Sequence, residues 1–314
     1  MTLTTPVIFI IFARPDLTAR VFQAIAQARP KVLLVLADGP RFPEEKEKCL
    51  KARRVLDNVD WECEVLTNFA DTNLGSKSRV ASGLDWAFSI VEEAIILEDD
   101  CLPAPSFFNY CQTLLEYYRH DGRIMHISGN NFQFGRRRTP YSYYFSKYTH
   151  NWGWATWRRA WKYFDVDMKS WPEFKSLNII HSLSEDANEQ RYWIDIFDRT
   201  YAGSIQSWDF QWLYTCWIQN ALSILPHSNL VSNLGFRSDA THTSKRNVLA
   251  QLPTVDIWNI VHPTFVVRNR EADNYTFESA YGGSSMREKN TPTSKIRTYL
   301  KRVARKLCQY REVP

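Results

Sequence analysis

The stretch Ala94-Ile95-Ile96-Leu97-Glu98-Asp99-Asp100-Cys101-Leu102-Pro103 decides the fold of this chain. Four apolar residues, enough for a short buried strand, run directly into three carboxylates and a Pro-bounded turn. Strands buried on both faces read as continuous apolar runs, and ligand sites of open α/β sheets lie beyond the carboxyl ends of such strands. Adjacent carboxylates without Cys or His in the strand favour Mg²⁺ or Mn²⁺ over zinc. The alternative is a solvated acidic turn.

Apolar strands and amphipathic helices alternate through the first hundred residues. Strands are predicted over residues 6–12, 31–37, 62–67 and 94–97, and helices over residues 16–28, 43–56 and 77–91. This rhythm predicts an α/β fold with a mostly parallel sheet and right-handed crossovers. The turn after the first strand lacks the glycine pattern of a dinucleotide-binding site and that of a P-loop, which disfavours a dehydrogenase and an NTPase.

The alternation is lost after a further helix (105–120) and strand (123–128). Short strands are predicted over residues 141–145, 222–225 and 230–232, helices over 171–206 and 208–220, and an irregular connection over 250–293. The chain has 12 Trp, 15 Tyr and 18 Phe, and most lie between residues 107 and 220. Aromatic rings suit the apolar faces of sugars or bases, and core packing is the alternative for each of them.

Cysteine usage and hydropathy predict a cytoplasmic protein. The 6 cysteines are scattered without zinc spacing, which fits reduced thiols. Residues 1–11 have no basic segment or cleavage pattern typical of a signal peptide. No apolar run reaches the roughly 18 residues that a membrane-spanning helix needs.

Several motifs, in order over residues 6–245, resemble one family. They are Phe12-Ala-Arg-Pro-Asp16, Ala37-Asp38-Gly39, Glu98-Asp99-Asp100 followed by Pro-Ala-Pro-Ser-Phe-Phe108, Gly153-Trp154 before Trp157-Arg-Arg-Ala-Trp161, and Trp208-Asp209. The set resembles GT-A-fold glycosyltransferases, in particular inverting N-acetylglucosaminyltransferases and bacterial family 2-like enzymes. The resemblance implies a Rossmann-like GT-A domain over residues 1–250. Its nucleotide-sugar-binding half would span 1–130 and its acceptor-side half 131–250, with a C-terminal extension over 251–314.

The resemblance implies a divalent cation, Mn²⁺ or Mg²⁺, bound at the third acid. Asp100 would bind this metal, and His242 on a late loop would be a second ligand, with a solvated loop histidine as the alternative. Asp99 would contact the ribose or the water shell of the metal, and Glu98 would contact the donor sugar.

Three further residues are implied to bind the nucleotide sugar. Arg14 would lie near the nucleotide and Asp38 near the base, with a surface position and a simple Asp-Gly turn as the respective alternatives. Trp154, together with Trp152 and Trp208, would offer a stacking face for a sugar. Core packing is the alternative for each tryptophan.

Asp209 is the candidate catalytic base. An inverting transfer needs a carboxylate that takes the proton of the attacking acceptor hydroxyl. Trp208-Asp209 corresponds to a Trp-Asp-Asp-Trp segment in the family, but the second Asp is missing here and the spacing is one residue longer. The alternative is a helix N-cap.

The net charge of +5 is concentrated at the C-terminus. Residues 294–311 form a basic amphipathic pattern, which predicts either peripheral contact with the inner face of the membrane or a helix packed on the catalytic domain. A nucleic-acid partner is not expected, because the basic residues are not interleaved with the aromatic ones.

Together these features predict a metal-dependent inverting glycosyltransferase of bacterial surface polysaccharide synthesis. It would move a sugar such as N-acetylglucosamine from a UDP-linked donor to a glycan or lipid-linked glycan acceptor. The alternatives are a retaining GT-A transferase and a non-catalytic carbohydrate-binding protein.

Overall fold

A computed structural model describes residues 3–237 and 248–290. The predicted site residue His242 and the predicted basic helix over 294–311 lie outside the described residues. Within the described ranges, no helix has the length and apolar character needed to cross a membrane. The 5 cysteines in these ranges are free thiols.

An eight-stranded sheet forms the centre of the molecule, in the order β3-β2-β1-β4-β8-β6-β9-β7. Its strands are β1 (Val7–Ile11), β2 (Val32–Ala37), β3 (Glu64–Phe69), β4 (Glu93–Glu98), β6 (Ile124–Ser128), β7 (Tyr143–Ser146), β8 (Trp154–Trp157) and β9 (Leu222–Pro226). Two short strands, β5 (Cys101–Pro103) and β10 (Val231–Asn233), form a separate antiparallel pair.

Most strands of the large sheet run in one direction. The β1–β2, β1–β4, β2–β3 and β6–β9 pairs are parallel, whereas β8 is antiparallel to β4 and β6, and β7 is antiparallel to β9. The predicted α/β class with a mostly parallel central sheet flanked by helices is confirmed.

Eleven helices are described within residues 3–237 and 248–290. They are α1 (Pro15–Ala28), α2 (Lys46–Arg53), α3 (Gly75–Ile90), α4 (Ser106–Tyr117), α5 (Arg158–Trp161), α6 (Trp171–Ser176), α7 (Ile180–Leu183), α8 (Ala187–Tyr201), α9 (Asp209–Ile218), α10 (Arg270–Ala280) and α11 (Gly283–Asn290).

Two sequence-based expectations about helices were wrong. The helix predicted over residues 43–56 is the short α2 between two 3₁₀ turns, because its sequence is polar and α2 buries only Cys49 and Ala52. The region predicted to be irregular, 250–293, contains α10 and α11. Helix α10 begins where the Asn269 side chain accepts a hydrogen bond from the Ala272 amide, and it buries Phe277.

The alternation of side chains along each strand divides the core between the two sheet faces. Val7, Phe9 and Ile11 of β1 pack in one apolar cluster, while Ile8 and Ile10 pack in the other. All five are at most 9% exposed. A strand buried on both faces has a continuous apolar sequence, which is why β1 and β4 were recognisable.

The chain changes direction across the sheet between β1 and β4. From β1 it moves outward through β2 to β3, and then returns to place β4 on the other side of β1. The connections that leave β1 and β4 therefore diverge, and they open a crevice at the carboxyl ends of these two strands. In open α/β sheets this switch point is where ligands bind.

Candidate functional site

Arg14 and two of the three acids meet in this crevice. Arg14 follows β1, and Asp99 and Asp100 follow β4, whose Glu98 lies beside Ile10 of β1. The Arg14 guanidinium forms an ion pair with Asp99, and its Nη1 lies 2.9 Å from Asp100 Oδ2. Burial lowers the pKa of Arg14, but attraction to the two carboxylates outweighs burial and raises this pKa above its ordinary value.

Negative charge exceeds positive charge in the crevice. Burial and repulsion from Asp100 and Asp99 raise the pKa of Glu98 to about 8. Burial also raises the pKa of Asp99 to about 6, although Arg14 and the Phe12 amide stabilise its charged form. The acidic groups outnumber the one guanidinium, and a cation bound here would lower both of these pKa values by favouring the charged carboxylates.

Asp99 is a buried positioning group in the structure. Its side chain is 3% exposed, and its two oxygens accept hydrogen bonds from Arg14 and from the Phe12 amide, the latter at 3.2 Å. This carboxylate orients Arg14. Its expected contact with ribose or with metal-bound water stays a prediction.

Asp100 lies against the backbone at the end of β10. The Leu234 amide donates to the Asp100 carbonyl at 2.8 Å, and the Gly235 amide donates to Asn233 Oδ1 at 2.7 Å. A Cβ atom at position 235 would lie 2.1 Å from Asp100 Oδ2. Glycine is therefore needed at position 235 for Asp100 to keep its place.

The residues present fit a divalent cation that is shared with a diphosphate. Among residues 3–237 and 248–290, no group of three or more His, Cys, Asp or Glu side chains could hold a metal ion by itself. Mg²⁺ is commonly held by one or two carboxylates and completes its shell with phosphate oxygens and water. Asp100, with a side chain 13% exposed at the crevice, meets this requirement. Assignment of His242 as a ligand stays a prediction.

Asp38 has its hydrogen-bonding capacity filled by the protein itself. Its Oδ1 accepts from the amides of Gly39 and Leu74, both at 2.9 Å. Its Oδ2 accepts from the Gly75 amide and the Asn73 side chain, both at 3.0 Å. The carboxylate thus binds the N-terminus of α3 and holds the loop before it. Its predicted contact with a nucleobase remains untested.

Trp154 is a core residue. It is fully buried and stacks on Trp208 with 5.4 Å between ring centroids, and it also packs against Trp161 and Trp212. No face of this ring is available to a sugar, which corrects the stacking role expected from the sequence. The cause is the register of β8, which points Trp154 toward α9.

Trp152, two residues earlier, lies at the rim of the crevice. Its ring is half-buried and makes edge contacts with Phe132 at 5.2 Å and Phe236 at 5.6 Å. Phe236 directly follows Gly235, which touches Asp100. Phe236 was not identified from the sequence, because only the β5–β10 pairing brings the segment after β10 to the acids.

Asp209 lies at the start of α9, and its charge acts on Glu98 at the end of β4. It is the first residue of the helix and accepts a hydrogen bond from Ser207 Oγ, while Trp208 occupies the N-cap position without a side-chain cap. The expected alternative, in which Asp209 is the N-cap, is therefore wrong by one residue. Burial raises the pKa values of Glu98 and of Tyr192 (about 12), and the negative charge of Asp209 adds to both shifts.

Two loops lie beside the acids, and sequence reasoning left the first of them, which contains Gly129 and Asn130, without a role. The Gly129 amide donates to the Gly153 carbonyl at 2.7 Å, and the Trp152 amide donates to Asn130 Oδ1 at 2.8 Å. Gly153 has a φ of +66°, a conformation that favours glycine, and this turns the chain into β8. A Gly-Asn-Asn sequence after a predicted strand was the only local signal for this surface.

A cavity of about 790 Å³ lies elsewhere, between the α7–α8 connection and the α10–α11 pair. Its arginines are paired with acids: Arg270 with Glu185, Arg287 with Asp186 and Glu278, and Arg268 with Asp273. Because these arginines are already neutralised by acids, the cavity is a weaker candidate for a charged ligand than the carboxylates at the end of β4.

No protein-family model and no curated protein matches the chain. Among solved structures, a UDP-glucose pyrophosphorylase complexed with UDP-glucose has 9% identity and a TM-score of 0.26, and the match covers 46% of this chain and 62% of that chain. A 4-diphosphocytidyl-2C-methyl-D-erythritol synthase from Anaerococcus prevotii has 8% identity and a TM-score of 0.31, and the match covers 62% of this chain and 84% of that chain. Similarity at this level does not identify an activity.

Proposed function

We propose that this protein is a metal-dependent inverting glycosyltransferase that uses a UDP-linked sugar. One observation carries the proposal: Arg14 meets Asp99 and Asp100 at the switch point of the sheet, and the charge of Asp209 acts on the neighbouring Glu98. A cationic group and a metal-binding carboxylate suit a diphosphate, and a separate carboxylate suits proton removal. The acceptor is a glycan or a lipid-linked glycan.

Arg14 binds and orients the diphosphate of the donor in this proposal. Its guanidinium is held in place by Asp99, whose carboxylate is buried. Asp100 would hold a Mg²⁺ or Mn²⁺ ion, which would supply neutralisation of the charge that develops on the nucleoside diphosphate as it leaves. Asp100 is kept at the crevice by the close backbone of Gly235.

Asp209 acts as the general base. It takes the proton of the acceptor hydroxyl while the acceptor oxygen forms a bond to the anomeric carbon of the donor sugar. The bond from that carbon to the diphosphate oxygen breaks, and UDP leaves with the electron pair. A single displacement of this kind inverts the anomeric configuration. Ser207 holds Asp209 through a hydrogen bond and thereby limits its rotamers.

A thermal-shift panel tests the donor site. Wild type and Asp100→Ala are heated with UDP, GDP, CDP and their sugars, with and without Mn²⁺, and Asp60→Ala serves as a matched control because Asp60 is an exposed acid outside the crevice. A ligand that binds the folded state raises the melting temperature. We expect a Mn²⁺-dependent rise with UDP in wild type and Asp60→Ala that is lost in Asp100→Ala. No rise with any nucleotide would overturn the proposal.

The stereochemical outcome tests the mechanism. NMR of the product formed with an acceptor panel shows whether the anomeric configuration is inverted. Retention would contradict the role of Asp209, and binding of glycans without any transfer would favour a carbohydrate-binding protein.

A further inference from the structure

Two buried side chains beside the acidic crevice lack hydrogen-bond partners. His150 is 2% exposed, and neither ring nitrogen has a hydrogen-bond partner in good geometry, although contact with the Asn130 backbone favours the protonated ring. Asn130 has no exposed surface, and its Nδ2 has no acceptor. An unpaired buried polar group is destabilising, so native proteins contain few of them. Two such groups in adjacent loops require an explanation.

Their position is fixed relative to the acids. Trp154 of β8 pairs with Ile96 of β4 in an antiparallel register, so the residues before β8 run alongside the residues that follow Ile96. Trp152 contacts Phe236, and Phe236 follows Gly235, which touches Asp100. The loop Thr149–Trp152 is therefore a side wall of the crevice.

The backbone around these groups is firmly held. The His150 carbonyl accepts hydrogen bonds from Ser128 Oγ at 2.8 Å and from His126 Nε2 at 3.1 Å. Asn130 Oδ1 accepts from the Trp152 amide. The His150 ring stacks on Phe132 with 4.2 Å between centroids. The unpaired nitrogens are thus held in fixed places on a rigid wall, which is what preorganised recognition of a ligand requires.

The chemistry of the wall suits hydroxyl groups. Burial lowers the pKa of His150 to about 3, so the ring is neutral and offers one donor and one acceptor. Asn130 Nδ2 offers donors, and Asn151 Oδ1, which also lacks a partner, offers an acceptor. Sugar hydroxyls both donate and accept. The loop Thr149–Trp152 and Asn130 contain no cation to balance a carboxylate or phosphate substituent.

We propose that Asn130 and the loop Thr149–Trp152 bind the sugar of the donor, and that they select a neutral sugar over a uronic acid. This inference rests on the proposed glycosyltransferase function and adds the substrate class. His150 and Asn130 hydrogen-bond the sugar hydroxyls, and Trp152 covers the rim.

Isothermal titration in the presence of Mn²⁺ tests this pocket. The ligands are UDP, UDP-glucose, UDP-N-acetylglucosamine and UDP-glucuronate. We expect wild type to bind at least one of the two neutral sugar nucleotides at least about tenfold more tightly than UDP-glucuronate. His150→Phe preserves the stacking on Phe132. It should lower the affinity for that neutral sugar nucleotide about tenfold and leave the affinity for UDP unchanged. His150→Gln, which keeps a donor and an acceptor, should retain most of the affinity.

His126 provides a matched control for stability. Its Nε2 bonds to the His150 carbonyl, and its Nδ1 accepts from the Trp212 indole at 3.1 Å. Without ligand, His150→Phe should melt at or above the wild-type temperature because it removes unpaired nitrogens, whereas His126→Phe should melt lower because it breaks two hydrogen bonds. A similar loss of stability in both variants would show that His150 is paired in solution and would overturn the inference.

The binding outcomes separate this inference from the function on which it rests. Absence of UDP binding to wild type would overturn both the proposed donor site and the proposed sugar pocket. UDP binding accompanied by equal affinity for neutral and uronic sugars would overturn the sugar pocket alone. The proposed sugar pocket would also be overturned if His150→Phe bound the neutral sugar nucleotides with wild-type affinity. Complete loss of this affinity in His150→Gln would overturn it as well.

Discussion

The guanidinium of Arg14 bridges the carboxylates of Asp99 and Asp100, with Nη1 2.9 Å from Asp100 Oδ2. These groups come from two strands that are far apart in sequence and adjacent in the sheet. The bridge joins the first and fourth strands where the crevice opens. The same ion pairs therefore contribute to the stability of the fold and position the charged groups of the candidate site.

Arg14→Ala should lower the free energy of unfolding by about 3 kcal/mol, because it leaves two largely buried carboxylates without a counter-charge. Lys175→Ala is the control, since Lys175 and Asp198 are 46% and 41% exposed and such a pair contributes at most about 1 kcal/mol. Urea denaturation measures both changes. Equal losses in the two variants would show that the Arg14 bridge is not a significant contributor to stability.

Gly235→Ala should displace Asp100 from the crevice, because the new Cβ would lie 2.1 Å from its Oδ2. We expect the Mn²⁺-dependent affinity for UDP to fall about tenfold or more by calorimetry, since metal sites are sensitive to small displacements of a ligand. Gly122→Ala is the control, because a Cβ there would meet no atom within 4 Å. Unchanged UDP affinity in Gly235→Ala would argue against Asp100 as the metal-binding residue.

Asp38→Ala should lower the free energy of unfolding by about 2 kcal/mol or more. The change removes an acceptor of four hydrogen bonds at the start of α3, and loss of a helix cap alone costs about 1 kcal/mol. Chemical denaturation and UDP titration are compared on the same variant. A stable variant with lost UDP affinity would instead favour the nucleobase contact expected from the sequence.

Asp209→Asn should abolish most sugar transfer while leaving UDP binding intact. The amide keeps the size of the side chain and removes its basicity, and general base catalysis contributes about a hundredfold to ten-thousandfold in rate. Transfer to an acceptor panel and UDP titration measure the two effects. Ser207→Ala removes the hydrogen bond to Asp209 and should give a smaller loss. Near wild-type transfer by Asp209→Asn would assign the base to another residue.

The contribution of His126 to stability should depend on pH. Burial lowers its pKa to about 3 in the folded state, whereas an unfolded histidine has a pKa of about 6.5. The folded state therefore binds fewer protons between these values, and this contribution is complete above pH 6.5 and is lost as the pH falls.

The difference in unfolding free energy between wild type and His126→Phe measures this effect. It should shrink by about 1.4 kcal/mol per pH unit between pH 6 and 4.5. The two proteins share every other titrating group. The pH dependence that these groups give to the unfolding free energy therefore cancels in the difference. A difference that is constant over this range would show that His126 is protonated in the folded state.

The sequence alone was sufficient for the α/β class, the first four strands and the place of the acids. Val7–Ile11 and Ala94–Leu97 are apolar at every position, and both strands are buried on both faces. A central strand is buried on both faces, so its residues are apolar at consecutive positions. Such a strand can therefore be recognised from a short stretch of sequence. The helices α10 and α11 were missed because their apolar stripes are weak and depend on packing against other parts of the chain.

The tertiary structure decided which side chains at the crevice are available. Asp38 and Trp154 have the residue types of a binding site, yet one is bonded to the start of α3 and the other is enclosed by tryptophans of α5 and α9. The residue type indicates which interactions a side chain can make. Its contacts within the protein determine which of these remain available to a ligand.

The sequence by itself determined the strands, the helices between them and the acids at the end of β4, because these follow from the pattern of apolar and charged residues along short stretches. The tertiary structure decided that Arg14 lies between Asp99 and Asp100, that Gly235 touches Asp100 and that the buried His150 ring stacks on Phe132. Each of these relations joins residues from different strands or loops. They depend on strand order and register, which arise from packing of the whole sheet and leave no local trace in the sequence.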